Sequence, residues 1–280
     1  MKKFFFLVGL LLCISIFQSC EKDTNNKPTE EVAPTLPLQE TFVMPFTGYE
    51  DIDTTGLTST ITIDERSGPT GFRNWFYAGS NVLVWNVILG VNMAIPVASF
   101  AEAFNHDPAY IGDGVFLWTY NFNLGGETFI ASLTGEFVNN NLDVQWIMNI
   151  SMVGGFSNVE WYRGIVSRDN KTATWTLNHR PENPTPFIRI DYQKNDVTGE
   201  FSIQYTNIIP GNADFGNYIA YRIQVGQTFN RAYDIFRGSD DDFLEIEWNV
   251  PSGEGRVRNP AAYNDNEWHC WDTEKKDTDC

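Results

Sequence analysis

The feature that most constrains the fold is a strict alternation of apolar and polar residues from Leu142 to Met152. Every second residue in this run is apolar, and four of the five residues between them are polar. Successive side chains of a β-strand point to opposite faces, so this pattern predicts a strand with one buried and one solvated face. An amphipathic helix would instead show apolar residues at intervals of three and four.

The same alternation recurs along most of the chain. It is clear at Gly114–Asn123, Phe129–Phe137 and Leu244–Val250, and shorter runs lie at Leu57–Ile63, Val159–Val166, Ala173–Leu177, Phe187–Tyr192, Phe201–Tyr205, Tyr218–Val225 and Thr228–Phe236. The connections between runs are short and rich in Gly, Asn and Asp, which suits hairpins between antiparallel neighbours. The sequence therefore predicts a mainly β protein, a large antiparallel meander curved into a barrel-like sheet or a sandwich.

One segment interrupts this pattern. Residues Asn81–Val91 are almost continuously apolar, which predicts a strand buried on both faces. The next apolar residues, Val97, Phe100, Ala101 and Phe104, have the spacing of an amphipathic helix, and Pro96 suits its first turn. We therefore expect one inserted amphipathic helix that covers a sheet face or one end of the barrel.

The N-terminus has the features of a bacterial lipoprotein signal. Two lysines precede an apolar stretch from Phe4 to Phe17, which is too short for a membrane-spanning helix, and Ser19 precedes Cys20. We predict a signal peptide over residues 1–19 and a lipidated Cys20; an ordinary signal peptide with an incidental cysteine is the alternative. The proline-containing polar stretch up to residue 40 reads as a flexible tether, followed by a single β domain over residues 41–280.

Composition limits the partners. With 19 Lys plus Arg against 36 Asp plus Glu, the formal net charge is −17. Nucleic-acid binding needs a basic surface, so we expect no nucleic-acid partner. The charged run directly after Cys20 is similar to that of surface-directed Bacteroidetes lipoproteins. We accordingly expect an outer-membrane lipoprotein, on the periplasmic face or at the cell surface, whose lipid anchor is its contact with the membrane.

The chain is rich in aromatic residues, with 9 Trp, 11 Tyr and 21 Phe. These residues can fill a core, line a cavity for an apolar ligand, or stack on sugars from loops. If the sheet encloses a cavity, Trp118, Trp146 and Phe129 are the candidate lining residues. For sugar stacking the candidates lie near predicted loops: Trp75, Tyr77 and Tyr110.

Catalytic motifs are scarce. The three histidines lie in separate segments, and the sequence has no HExxH, GxSxG, P-loop or GxGxxG pattern. Glu160 and Glu200 are a conceivable glycosidase pair among many carboxylates. We expect a non-catalytic protein and no catalytic residue, with a hydrolase acting on envelope or polysaccharide material as the alternative.

The acidic run Asp240, Asp241 and Asp242 is the candidate metal site. Carboxylate oxygens bind Ca²⁺, and Glu245 and Glu247 on the following strand could assist. No EF-hand pattern is present, and a solvated turn is the competing interpretation. We expect no cofactor other than Ca²⁺ at this candidate site.

The C-terminus contains the last two cysteines, Cys270 and Cys280. After signal cleavage and acylation of Cys20 they are the only thiols left, so in an oxidising envelope we expect them to form a disulfide that fixes the tail. Two free thiols, or a metal site with His269, are the alternatives.

The ending EWHCWDTEKKDTDC resembles that of a group of uncharacterised Bacteroidetes outer-envelope lipoproteins, and WNVILGVNMAIPVASFAEAF and VEWYRGIVSRDNKTATWTLN are similar to segments of the same group. The resemblance supports the fold and the envelope location and implies no activity. Combined with the residues, it leads us to expect a lipid-anchored envelope protein that binds an apolar ligand, a glycan or a protein partner.

The lipidation of Cys20 is directly testable. We expect Cys20→Ala to abolish incorporation of a labelled fatty acid into the protein, because the thiol is the acylated atom. Cys13→Ala, within the signal peptide, is the matched control and should leave labelling unchanged. Labelling that persists in Cys20→Ala would show that the cysteine is incidental.

Overall fold

A computed structural model describes residues 32–49, 52, 69–179, 181–238 and 241–280, without the side chain of Val91. Within them lie 14 strands. Their bounds are β1 Ala109–Gly112, β2 Val115–Leu124, β3 Glu127–Val138, β4 Asp143–Met152, β5 Val159–Ser167, β6 Thr172–His179, β7 Thr185–Asn195, β8 Glu200–Asn207, β9 Tyr218–Ile223, β10 Arg231–Arg237, β11 Asp242–Trp248, β12 Gly255–Arg258, β13 His269–Trp271 and β14 Asp277–Thr278. The helices are α1 Arg73–Glu102 and α2 Pro260–Tyr263, with short 3₁₀ turns at Gln39–Thr41 and Ala103–Asn105.

The strands form one sheet in which each strand pairs with its sequence neighbour, in the order β1 to β14. Every pairing is antiparallel, which confirms the predicted meander. Among the described residues β1 and β14 do not pair with each other, so this sheet is open. The expected strand at Leu57–Ile63, like Cys20 and the whole predicted signal peptide, lies outside the described residues.

The sheet curves around α1. The helix contacts β2 near one edge of the sheet and β12, β13 and β14 at the other. A sheet of this width cannot stay flat, because the strand twist accumulates. Its inward-facing residues join those of α1 in one apolar core.

The expected strand over Asn81–Val91 is wrong, and Pro96 is not in the first helical turn. Both belong to the single 30-residue helix α1, which starts at Arg73. A continuous apolar run has the same appearance in a buried helix and a buried strand. Here extra apolar residues such as Val84, Val87 and Ile88 conceal the helical spacing.

The buried stripe of α1 follows a spacing of three and four residues and continues into the 3₁₀ turn after the helix: Ala78, Val82, Trp85, Leu89, Met93, Pro96, Phe100 and Ala103. The helix bends by 69° between Gly90 and Asn92. Pro96 has no N–H for the carbonyl of Asn92 and its ring crowds that carbonyl, and Gly90 weakens the same turn. Among the described residues no single helix has the length and hydropathy of a membrane span, although the two bent halves of α1 meet that test together.

Tryptophans and glycines alternate across the inner face of the sheet. Gly135, Trp146, Gly164 and Trp175 are in register on β3 to β6. A Cβ atom on Gly164 would lie 2.2 Å from the Trp175 ring, and one on Gly135 would lie 2.7 Å from Trp146. The glycines therefore leave space in which the indoles lie against the neighbouring backbone.

The stretch before α1 crosses the inner face of the sheet and is fixed there by tyrosines. The Tyr205 hydroxyl donates to the Phe42 carbonyl at 2.8 Å and accepts from the Met44 N–H at 2.7 Å. Tyr233 donates to the Pro45 carbonyl at 2.6 Å. Burial raises the pKa of Tyr205, which keeps its hydroxyl protonated and able to donate.

The side chain of Glu40 fixes the beginning of this stretch. It accepts hydrogen bonds from the Tyr192 hydroxyl at 2.8 Å and from the Lys194 ammonium at 2.9 Å. Burial alone would raise the pKa of Glu40, but these two donors hold it below its usual value. The segment from Glu40 to Tyr49, which we call the crossing segment, is thus part of the core.

The C-terminal tail caps α1. The predicted disulfide between Cys270 and Cys280 is present, 10 residues apart, and a loop of this length should stabilise the fold by roughly 2.5–3 kcal/mol. Within this loop, the Asp277 carboxylate accepts from the N–H groups of Asn74 at 2.9 Å and Arg73 at 3.2 Å. An acidic acceptor is favourable at a helix N-terminus, where N–H groups lack helical partners.

We expect Asp277→Ala to lower the free energy of unfolding by about 1 kcal/mol, the usual loss for a helix-capping side chain. Chemical denaturation monitored by circular dichroism would measure the change. Asp279→Ala removes the same charge from an exposed position of the same tail and should have little effect. Equal destabilisation by both variants would contradict the capping role.

We expect Tyr205→Phe to lower the free energy of unfolding by about 1–3 kcal/mol, because it leaves a buried N–H and a buried carbonyl unsatisfied. Tyr110→Phe, at a ring that is 49% exposed, is the matched control, with an expected change below about 0.5 kcal/mol. Thermal and urea unfolding of the two variants would test the anchor. A wild-type value for Tyr205→Phe would show that the crossing segment is held by other contacts.

Candidate functional sites

An apolar groove lies between the crossing segment and the second half of α1, with a volume of about 380 Å³. The crossing segment contributes Val43, Met44 and Phe46 to its lining, and β2 and β8 contribute Leu124 and Tyr205. The remaining lining residues are on α1: Asn86, Leu89, Gly90, Met93, Ala94, Val97, Ala98 and Ala101. The groove exists because Gly90, Ala94, Ala98 and Ala101 are small and follow one another on the same face of the helix.

The chemistry of the groove is almost entirely apolar. Its polar side chains are those of Asn86 and Tyr205, and the Tyr205 hydroxyl is already engaged by the crossing segment. None of the described lining residues carries a charge. Between Arg73 and Glu102, α1 itself contains no Asp, Glu, Lys or Arg. A ligand in this groove would gain binding energy from apolar burial.

The aromatic residues proposed as cavity lining are core residues instead of groove residues. Trp118, Trp146 and Phe129 are at most 4% exposed. The rings of Trp118 and Trp146 lie 5.4 Å apart, and Phe129 stacks on Phe122 at 5.1 Å. None of the three is among the described residues that line the groove.

A second cavity, which we call the aromatic pocket, lies beside the first turn of α1 and has a volume of about 230 Å³. Four aromatic residues from separate parts of the chain contribute to it: Tyr49, Trp75, Trp248 and Trp271. Its other lining residues are Thr47, Gly48, Val250, Gly253 and Lys275. Among the described residues, the lining thus combines indole rings with the cationic side chain of Lys275.

Two rings of the pocket, those of Trp248 and Trp271, are fixed by contacts with neighbouring residues. Trp248 and Trp271 flank Gly255 on the neighbouring strands, another case of the tryptophan and glycine alternation. The Trp271 indole N–H donates to the Gly253 carbonyl at 2.9 Å, and Trp248 stacks on Tyr233 at 5.1 Å. These contacts preorganise the pocket.

The residues proposed for sugar stacking have three different environments. Trp75 lies in the aromatic pocket, with the Lys275 ammonium 4.5 Å from its ring centroid. Tyr77 is buried within α1, where its ring meets Tyr263 edge-on at 5.5 Å. Tyr110 is exposed on the edge strand β1 and packs against Phe116 at 5.3 Å. The structure therefore does not bring the three together.

The candidate metal ligands are divided between different environments. Asp242 is buried and pairs with Arg237 at 2.6 Å, and its other oxygen accepts from the Asn259 amide at 2.8 Å. Asp241 is an exposed turn residue with a φ of 51°, and Asp240 lies outside the described residues. Glu245 and Glu247 pair with Arg258 and Arg256. Within the described residues no group of three or more His, Cys, Asp or Glu is arranged to hold a metal ion.

The Asp242 contacts have a structural function. The same Asn259 amide donates to the Tyr77 hydroxyl at 2.9 Å, and Arg237 donates to the Asn81 side chain at 3.3 Å. This network links β10 and β11 to the first half of α1. A buried carboxylate that is paired and hydrogen-bonded in this way stabilises a unique arrangement of helix and sheet.

The carboxylates considered for glycoside hydrolysis are far apart. Glu160 is on β5 and pairs with Arg163, and Glu200 is on β8. Three interstrand steps separate the two strands, which is about 14 Å at the usual strand spacing. Glycosidase pairs are about 5–10 Å apart, so this pair does not have the geometry for that reaction.

Neither cavity could be predicted from the sequence. The groove depends on the crossing segment meeting α1 across the sheet, and neither the segment nor the first half of the helix carries a recognisable pattern. The sequence does contain one relevant pattern, the small residues Gly90, Ala94, Ala98 and Ala101. Once the segment is known to be helical, this spacing predicts a row of small side chains on one face of the helix and therefore a shallow depression there. The aromatic pocket combines residues up to 228 positions apart, from Thr47 to Lys275.

Comparisons with known proteins give no relative: no protein-family model matches the chain, and no curated protein and no solved structure shows significant similarity to it.

Proposed function

We propose that this chain is a lipid-anchored envelope protein that binds an apolar, chain-like ligand in the groove between α1 and the crossing segment. The observation that carries the proposal is a groove of about 380 Å³ whose described lining contains no charged side chain. Cavities for small ligands usually measure about 300–1,000 Å³ and are mostly apolar with a few polar groups. The groove matches both properties.

The shape of the groove favours an extended ligand. Its α1 wall runs from Asn86 to Ala101 and includes the bend between Gly90 and Asn92, so the groove follows a bent path along the helix. A flexible, unbranched hydrocarbon chain can follow such a wall and bury its methylene groups one after another. Asn86 supplies one polar group where a head group could be held.

The envelope location supports a ligand of this class. The prediction of an envelope location depends on the signal sequence and Cys20, together with the resemblance of the C-terminal segment to Bacteroidetes lipoproteins. Acyl chains are abundant at a membrane surface, and a tethered protein meets them at high local concentration. The strong negative charge would keep the body of the protein away from anionic lipid head groups.

Binding of straight-chain alcohols tests the groove. They should displace the neutral fluorescent probe N-phenyl-1-naphthylamine from the full chain, and affinity should rise about 4-fold per methylene, the equivalent of about 0.8 kcal/mol, until the groove is full. We expect Ala94→Phe to weaken this binding at least 10-fold, because the ring would occupy the groove. Ala261→Phe, at an exposed helical alanine outside the groove, is the matched control and should bind like the wild type.

Two results would contradict the proposal. One is an affinity that does not depend on chain length, which would mean that the alcohols do not lie along an apolar wall. The other is equal binding by Ala94→Phe and Ala261→Phe, with both variants folded by circular dichroism, which would place the probe elsewhere on the molecule.

A further inference from the structure

The groove between α1 and the crossing segment offers a ligand one free hydrogen-bonding side chain among its described lining residues, that of Asn86. The only other polar side chain in this lining belongs to Tyr205. The Tyr205 hydroxyl is already used, since it donates to the Phe42 carbonyl and accepts from the Met44 N–H. A polar head group on a bound ligand would therefore meet the Asn86 amide.

Asn86 differs in its contacts from two other asparagines of α1. The Asn81 amide donates to the Tyr77 carbonyl at 2.9 Å, and the Asn92 amide donates to the Ile88 carbonyl at 2.6 Å, in each case one turn earlier in the helix. The side chain of Asn86 makes no hydrogen bond to any described residue. Its oxygen and its two N–H groups are thus available to a ligand.

Asn86 lies at one end of the apolar wall. The α1 residues that line the groove follow it at intervals of three and four positions: Leu89, Gly90, Met93, Ala94, Val97, Ala98 and Ala101. A chain-like ligand that lies along this wall can place only one of its two ends at the amide. That end carries the head group, and the hydrocarbon chain extends towards Ala101.

The groove supplies no partner for a charged head group. None of its described lining residues carries a charge, and α1 contains no Asp, Glu, Lys or Arg between Arg73 and Glu102. A carboxylate held at Asn86 would lose water on the side of the apolar wall without gaining a cation, which is unfavourable. An ammonium would likewise meet no carboxylate in this lining. The net charge of −17 adds a general repulsion of anions.

We infer that the groove selects amphiphiles with an uncharged, hydrogen-bonding head group, such as an alcohol, a primary amide or an ester, and that Asn86 recognises this group. The inference rests on the proposed function, because it concerns the ligand of the same groove. An amide side chain donates to a carbonyl and accepts from a hydroxyl, so it suits each of these head groups. Ionised fatty acids of the same chain length are the ligands that it disfavours.

Competition between octyl-chain ligands tests the inference. Octanol, octanamide and methyl octanoate are the neutral ligands, and octanoate and octylammonium are the charged ones. Each displaces N-phenyl-1-naphthylamine from the full chain in about 0.15 M salt, where the screening length is about 8 Å and long-range effects of the net charge are small. We expect each neutral ligand to bind about 10-fold more tightly than octanoate, because the carboxylate is desolvated without a partner. Octylammonium should also bind more weakly than octanol.

Variants locate the head group. Asn86→Leu removes the amide at similar volume and should weaken binding of the neutral ligands about 5-fold, a usual loss for one hydrogen bond. Asn86→Lys places a cation at the same end of the wall and should reverse the selectivity, so that octanoate binds more tightly than octanol. Asn121→Leu and Asn121→Lys, at an exposed position of β2 that does not line the groove, are the matched controls and should keep the wild-type order of affinities.

Failure of the inference and failure of the proposed function give different results. If no octyl-chain ligand displaces the probe, the groove is not the binding site and both are overturned. If the neutral ligands bind and octanoate or octylammonium binds equally tightly, only the inference is overturned. Equal effects of the Asn86 variants and their Asn121 counterparts, with all four proteins folded by circular dichroism, would also overturn the inference alone.

Discussion

The structure depends on how the inner face of a wide, open sheet is filled. A meander of 14 strands presents a continuous apolar inner face, and among the described residues its two edge strands do not pair to close it. The long helix α1 covers this apolar face. It can do so because it is uncharged along almost its whole length and can be surrounded by apolar residues. It packs against strands near both edges of the sheet, so that helix packing brings the two ends of the sheet to one core.

The crossing segment and the C-terminal tail then set the position of the helix. The hydroxyls of Tyr205 and Tyr233 satisfy the backbone of the crossing segment inside the core, where an unpaired peptide group would be costly. The Asp277 carboxylate accepts hydrogen bonds from the first N–H groups of α1. Phe72, the residue directly before the helix, has no side chain that could cap them. Both solutions use polar atoms that lie far from their partners in the sequence.

The strands were predictable from the sequence because apolar and polar residues alternate in a strand that has one buried and one solvated face. The alternation from Leu142 to Met152 gave β4 almost to the residue, since Asp143–Met152 is the observed strand. The helix was not predictable in its first half, because α1 is buried on nearly all sides around Tyr77–Leu83 and has no polar face to reveal its period. The short strands β12 to β14 were also missed, since two to four residues are too few to show an alternation.

The two cavities were beyond sequence reasoning for a different reason. Each cavity is a space between elements that come together only in the folded chain. The residue pattern within a single strand or helix therefore does not predict it. Both share the crossing segment, which lines the groove from Val43 to Phe46 and the aromatic pocket from Thr47 to Tyr49. The Tyr233 hydroxyl donates to the Pro45 carbonyl within the first of these stretches, two residues before the second, so a hydrogen bond that holds the core together also fixes one wall of each cavity. The shape of both cavities is therefore a direct consequence of how the open sheet is filled.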